Sequence, residues 1–319
     1  MGVRISACQL AVPPGTEDNS QLAARIGKTA DWILLSTGVE HRRIADHDDD
    51  PIELAAKVAQ QVIEEVGPPD LLIYAGAIPR QTLPDSSAHV LGRLGLSGVP
   101  GFSVNAACLS FAVAVRSACA VLESDPAVNR VLICCAEFAS RGRNFTQPES
   151  AALLGDGAAA AILESCEGEC GLKHWSMQTF PEGADLTEVR GGGLRHPFTE
   201  PSGTEHLFEM DGPALLRFTV PRMRRFLNSF LNDAGLSPQD IDLIVPHQPS
   251  GRALEVLELF GFPNSRVVNI IRDYGNCVAA SLPMALATAM QEGRINRGDL
   301  ILLTGTAAGV SLAAGVFQW

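Results

Sequence analysis

The sequence predicts a mixed α/β fold written twice along one chain. Short apolar runs of strand length alternate with longer amphipathic or small-residue stretches of helix length. The same order of elements recurs in the second half, most equivalents lying about 170 residues apart, a spacing that points to a duplicated domain and not to a solenoid of short units. With 46% hydrophobic and 19% charged residues, the 319-residue chain also carries enough apolar material for a large core.

Taken in order, "MGVRISACQLAVPPG" opens on an apolar strand. A helix, "PIELAAKVAQQVIEEVG" (51–67), leads into the buried strand "DLLIYAGA" (70–77). "NAACLSFAVAVRSACAVLES" (105–124) reads as a turn and helix, followed by strands "RVLICCAEF" (130–138) and "AAAAILES" (158–165). The stretch 168–212, with "RGGGLRHPFTEPSG", reads as a loop-rich cover over a substrate entrance. The pattern then restarts: helix 213–235, strand "DLIVPHQ" (242–248), helix 280–293, and strands "LILLTGT" (300–306) and "SLAAGVFQW" (311–319). The division is drawn at 1–167 and 168–319.

A net charge of −12 opposes general nucleic-acid binding, which needs a positive field. No apolar run approaches the ~20 residues of a membrane helix, and the N-terminal residues lack the signal-peptide pattern, so the chain is expected in the cytoplasm. The eight cysteines are then expected reduced and mostly in the core. Cys166 and Cys170 have no second pair at zinc spacing, and no metal is expected.

If the halves pack as a pseudo-twofold pair, equivalent strand ends meet at the centre, and polar residues there become site candidates. Cys108 precedes a helix whose free N–H groups favour a thiolate; it reads either as a nucleophile or as a small core residue. His247, between two prolines at a strand exit, reads as a proton acceptor or as a capped loop residue. Asn276, in "DYGNCVAAS", is a turn residue or an uncharged donor to a thioester or enolate oxygen.

The motifs "DWILLSTGVEHRRIA" (31–45), "VNAACLSF" (104–111), "LLGDGAAAAIL" (153–163), "VPHQPSGRAL" (245–254) and "DYGNCVAASLPMAL" (273–286) together resemble the β-ketoacyl-acyl-carrier-protein synthase III family of the thiolase superfamily. The resemblance spans essentially the whole chain. It implies a thiolase-like fold of duplicated αβαβαββ halves in a five-layer α-β-α-β-α sandwich, normally a homodimer. It implies a Cys-His-Asn triad at Cys108, His247 and Asn276, and no metal or redox cofactor, with CoA and phosphopantetheine thioesters as substrates. The implied reaction moves an acyl group from acyl-CoA to Cys108, then condenses it with a decarboxylating malonyl thioester on acyl carrier protein or CoA. Fatty-acid, biotin-precursor or secondary-metabolite synthesis are the implied settings. Acyl transfer to an alcohol or amine without decarboxylation is the alternative.

The resemblance also places the oxyanion N–H groups at Cys108 and Ala308, where the family has glycine for Ala308. Thr306 replaces an aromatic, and Ser250 an asparagine. Trp32 matches a residue that stacks on the CoA adenine. Leu83 falls where a neighbouring subunit closes the acyl pocket, which Ala152 and Leu154 also line, and its size implies room for a medium-length or branched acyl group. Arg217 and Arg252, in a basic cluster with Arg222, Arg224 and Arg225, match positions at the carrier-protein and CoA entrance.

Overall fold

A computed structural model describes residues 2–168, 170–194 and 203–319. The main strands are β1 (Gly2–Ala11), β2 (Leu71–Ala75), β3 (Gly101–Val104), β4 (Arg130–Phe138), β5 (Asp156–Cys166), β6 (Gly171–Thr179), β7 (Leu243–Pro246), β8 (Leu300–Ala307) and β9 (Ser311–Gln318). The main helices are α1 (Ala30–Thr37), α2 (Pro51–Val66), α3 (Ser86–Leu94), α4 (Ser110–Ser124), α5 (Gly212–Asp233), α6 (Gly251–Glu255) and α7 (Ser281–Gln291).

The first sheet runs β1-β5-β4-β2-β3, and the second runs β6-β9-β8-β7. Their pairings match one for one. β1/β5 and β5/β4 are antiparallel and β4/β2 parallel, as are β6/β9, β9/β8 and β8/β7 in turn. Even β3, parallel to β2 at the sheet edge, has a trace in the second half, where a parallel bridge joins Ile244 to Val267.

Burial sorts these elements into five layers. One face of α2 (Ile52, Ala55, Val58, Ala59 and Val62, at helical spacing) packs on the outside of the first sheet. Asp50 accepts a hydrogen bond from the Ile52 amide, and Pro51 suits the first turn, so the helix starts where the sequence sets it. Helices α4 and α7 share a middle layer between the sheets, with Ala112, Val115, Leu282 and Leu286 against Ile133, Ile301 and Leu303. Among the described residues, the one segment long and apolar enough to cross a bilayer, 107–124, lies in this layer. Outside the second sheet, α5 and α6 bury Phe226, Phe230 and Leu254 on Leu302 and Ala314.

Two local expectations change. The stretch expected as loop contains β6, whose polar, half-exposed side chains suit an edge strand and give no buried-run signal; residues 195–202 of that stretch lie outside the described residues. Helix α4 starts at Ser110, with Cys108 ahead of it as the sequence places it. Cys166 and Cys170 are joined in a disulfide, because the β5–β6 turn brings their Cα atoms to 6.5 Å; the other six cysteines are free.

Phe230 stacks on Phe226 and is 1% exposed. Phe230→Ala is expected to cost about 3–5 kcal/mol, read from the midpoint of chemical denaturation; a change under ~1 kcal/mol would show that this outer layer adds little.

Candidate active site

The two central helices begin with the same device. Asn105 accepts a hydrogen bond from the Ala107 amide (3.0 Å), and Asn276 from the Val278 amide (2.8 Å). Ala107 (φ 50°) and Val278 (φ 48°) both lie in the left-handed region, and among the described residues no other non-glycine does. Ser110 then takes the Ala106 amide (3.0 Å), and Ser281 the Cys277 amide (2.8 Å). In the first half this turn carries Cys108 three residues after its asparagine. In the second half the asparagine itself is the candidate.

The rest of the chain is shaped to let these turns meet. Gly275 (φ 68°) lies so close to the Leu153 carbonyl that a Cβ would stand 2.6 Å from its oxygen, and a Cβ on Gly155 would stand 2.1 Å from Tyr274 O. That close crossing lets the Asn276 amide donate to Leu153 O and Gly155 donate to Asn276 O. Leu154, thus beside Asn276, packs with Val278 against Cys108.

His247 follows β7 directly and donates its backbone N–H to Thr304 O (2.8 Å). Gln248, fully buried, ties this strand end to the 268–270 segment through Pro246 O, Val268 O and the Ile270 amide. A Cβ on Gly305 would lie 2.7 Å from His247 Cβ and 3.3 Å from Leu109, so glycine is what allows the imidazole to approach the Cys108 turn. Asn276 Nδ2 lies 3.4 Å from Pro249 O, two residues beyond His247. Cys108, His247 and Asn276 are therefore brought to one junction.

His247 and Asn276 are buried and Cys108 is half-buried, and desolvation keeps the thiol and the imidazole uncharged at rest. Burial pushes the Cys108 thiol up to about 12, with the nearby Glu137 carboxylate adding to it. The expected thiolate-favouring helix terminus does not prevail, because the thiol sits among Leu109, Leu154 and Val278 and desolvation outweighs the helix. Two backbone amides pull the other way, its own and that of Ala308. Ala308 can supply this N–H without strain, since the left-handed residue of its turn is Gly309 (φ 126°). Burial lowers His247 to about 3, and its Nδ1 is buried without a hydrogen-bond partner.

A cavity of about 550 Å³ reaches His247, Gly305 and Thr306 from the surface. Trp32, Ser250 and Arg252 line it, and its walls are otherwise mainly apolar, with Leu153, Met210, Leu216 and Met223. Trp32 carries Lys28 over its ring at 4.8 Å, and Arg252 is exposed and donates to Leu35 O. Arg217 is exposed on α5, outside the cavity wall. Arg222 leaves the basic cluster, since it donates to Phe218 O and stacks on the Phe218 ring. Ala152 packs among Leu22, Ile26 and Ile33, away from Cys108, because it lies on the inner face of the short helix Pro148–Leu153. Leu83 is 80% exposed and forms no wall of this cavity.

Gln248, Gly305, Asn105 and Glu137 were not among the sequence candidates. Glu137 leaves a signal, a carboxylate inside the apolar run "RVLICCAEF"; so does the asparagine followed five residues on by serine in both halves.

Residues 102–180 match the 3-oxoacyl-[acyl-carrier-protein] synthase III family, and residues 231–319 match its C-terminal region. The β-ketoacyl-[acyl-carrier-protein] synthase III of Neisseria meningitidis is 31% identical, with 99% of each chain covered. That of Erythrobacter litoralis is 32% identical, with 97% of each covered. The structure of the Thermus thermophilus synthase III superposes with a TM-score of 0.90 at 30% identity, covering 100% of this chain and 99% of that one. These structural neighbours have the thiolase-type fold.

Iodoacetamide labelling of Cys108, followed by mass spectrometry, is expected to accelerate with pH beyond pH 9, since the thiol sits near 12. A plateau by pH 7 would contradict the dry site. Gly305→Ala is expected to leave the protein folded and displace His247, lowering turnover by about a hundredfold.

Proposed function

This chain belongs to the 3-oxoacyl-[acyl-carrier-protein] synthase III family and is an acyl-transferring condensing enzyme, and on that premise we propose how its residues divide the reaction. The observation that carries the division is the meeting of the two asparagine turns, where Leu154, bridged to Asn276, packs with Val278 against Cys108, and Gly305 leaves His247 room beside Leu109.

In the first stage, Cys108 Sγ attacks the thioester carbonyl of an acyl-CoA. The S–C bond to Cys108 forms, the bond to CoA breaks, and the Cys108 proton passes to neutral His247 and on to the departing CoA thiolate. The carbonyl oxygen takes negative charge between the Cys108 and Ala308 amides, whose positions are fixed before the reaction. In the second stage, a malonyl thioester on acyl carrier protein loses CO₂. His247 and the Asn276 amide donate to the enolate oxygen, and the enolate carbon attacks the acyl carbonyl: the C–C bond forms, the S–C bond to Cys108 breaks, the β-ketoacyl thioester is released, and the Cys108 thiolate takes a proton from solvent. A donor-lined, water-poor site suits this chemistry, since charge appears only transiently. No metal or redox cofactor takes part in the proposed steps.

The cavity takes the pantetheine arm, with Trp32 against the adenine and Thr306 on the floor. Arg252, with Arg217 nearby on α5, steers the acidic carrier protein to its mouth. The working unit is a cytoplasmic homodimer. Its support is the exposed β3 edge with Phe102 41% exposed, beside Ile78 and Leu83, apolar side chains that a second copy would cover. Leu83 then closes the partner's acyl pocket against Leu154 and leaves room for a medium-length or branched primer. The two halves divide at 167/168, in the β5–β6 turn. Transfer to an alcohol or amine is the competing reading, supported by the Thr306 hydroxyl on the cavity wall.

Intact-protein mass spectrometry with a panel of acyl-CoAs is expected to show an adduct absent in Cys108→Ala. Malonyl-acyl carrier protein should remove it, with release of CO₂. An adduct passed to an alcohol or amine without CO₂ would favour the competing reading. Because His247 is already neutral above about pH 3, malonyl decarboxylation is expected to show no acid limb near pH 6.5; His247→Ala should slow it by about a hundredfold or more. Leu83→Phe should narrow the accepted primers toward acetyl, read from the same panel.

A further inference from the structure

Glu137 ends a run of buried apolar residues in β4 and is itself 1% exposed. Its two carboxylate oxygens accept the backbone amides of consecutive residues, Ala77 at 2.5 Å and Ile78 at 3.3 Å. Ala77 is held from its other side too, its carbonyl accepting the Asn105 side-chain amide at 3.1 Å. The remaining end of Asn105 accepts the Ala107 amide, and Ala107 is the left-handed residue bonded directly to Cys108. Ala77 also packs with Leu154 and Val278 in the cluster that Cys108 touches.

A continuous chain of hydrogen bonds thus runs from Glu137 through Ala77 and Asn105 to the nucleophile's own turn. The second half lacks this tie. Asn276 makes the same turn with its oxygen, but among the described residues its side-chain nitrogen has only the long contact to Pro249 O. One asparagine is locked to a carboxylate-held backbone, and the other keeps its N–H for a ligand.

We propose that Glu137 is a positioning residue, whose carboxylate fixes the Ala77–Ile78 backbone and, through Asn105, the strained Ala107 turn that sets Cys108 beneath the Ala308 amide. This rests on Cys108 being the nucleophile. Holding a non-glycine residue left-handed is strained, so the turn needs such over-determination. Burial raises the Glu137 carboxyl to about 8 against the pull of its two amides. The titratable groups facing it are Tyr74 from β2, Cys135 from its own strand, Cys108, and Cys277 from the turn before α7; none is basic. Its negative charge accordingly opposes the Cys108 thiolate.

The test compares Glu137→Gln and Asn105→Ala with the wild type in three measurements: acylation of Cys108 by acyl-CoA, decarboxylation of malonyl-acyl carrier protein, and the pH profile of Cys108 alkylation by iodoacetamide. Both variants should acylate about tenfold or more slowly, because the sulfur is misplaced relative to its amides, while decarboxylation at His247 and Asn276 stays within about twofold. Only Glu137→Gln should move the alkylation profile to lower pH, since it alone removes the opposing charge. Acylation at the wild-type rate, decarboxylation falling in step with acylation, or an unmoved alkylation profile in Glu137→Gln would each overturn the proposal. If Glu137→Gln does not fold, Asn105→Ala decides by its acylation-to-decarboxylation ratio, because it keeps the carboxylate and both of its amides. If the wild type itself takes no acyl group, the proposed function fails, and the alkylation profiles still judge the role of Glu137.

Discussion

Everything at the centre of this protein depends on two backbone turns held in a conformation that ordinary side chains avoid. Ala107 and Val278 are left-handed, and each is secured by an asparagine oxygen on its own amide and a serine hydroxyl just beyond. The strain is tolerated because each turn is held by two hydrogen bonds that relaxation would break, buried at the Val278 turn and partly solvated at the Ala107 turn. Each turn launches one of the two helices packed between the sheets. Duplication therefore delivers two similar strand-to-helix junctions to one place, and small differences between them decide what each offers. In one the turn presents a sulfur; in the other it presents an amide.

Close backbone approach completes the arrangement. Gly155, Gly275 and Gly305 stand where a Cβ would collide with a carbonyl or with His247. These glycines bring the crossing of residues 153–155 over 274–276, and the end of β8, within reach of the Cys108 turn. Gln248 fixes the strand exit below His247 by three hydrogen bonds from one buried amide.

Dryness gives the junction its electrostatic character. The same desolvation drives Cys108 up to about 12, His247 down to about 3 and Glu137 up to about 8. Permanent polarity is supplied by backbone amides and by the Asn276 side chain, which carry no charge to be desolvated. Such dipoles respond weakly to a neutral thioester and strongly to a developing oxyanion, and this difference is what lowers a barrier. In the proposed reaction the resting thiol is poorly nucleophilic, so its deprotonation is coupled to attack.

The sequence by itself determined the alternation of strands and helices, the duplication, and the three candidate residues, because apolar periodicity and polar interruptions of strand ends are local patterns. "RVLICCAEF" reads as β4 residue for residue, since a buried strand must be apolar on both faces. The edge strands β3 and β6 escaped notice for the converse reason: β3 is only four residues long and largely exposed, and β6 is half solvated with a composition that resembles a loop. Only the tertiary structure decided that the Cys108 thiol is raised by burial, that the left-handed residue beside Ala308 is Gly309, that Ala152 packs among Leu22, Ile26 and Ile33, and that Glu137 is tied to the Cys108 turn through Ala77 and Asn105. Desolvation, backbone strain and hydrogen bonds between distant segments depend on what folding brings alongside a residue, and a residue's sequence neighbours do not carry that information.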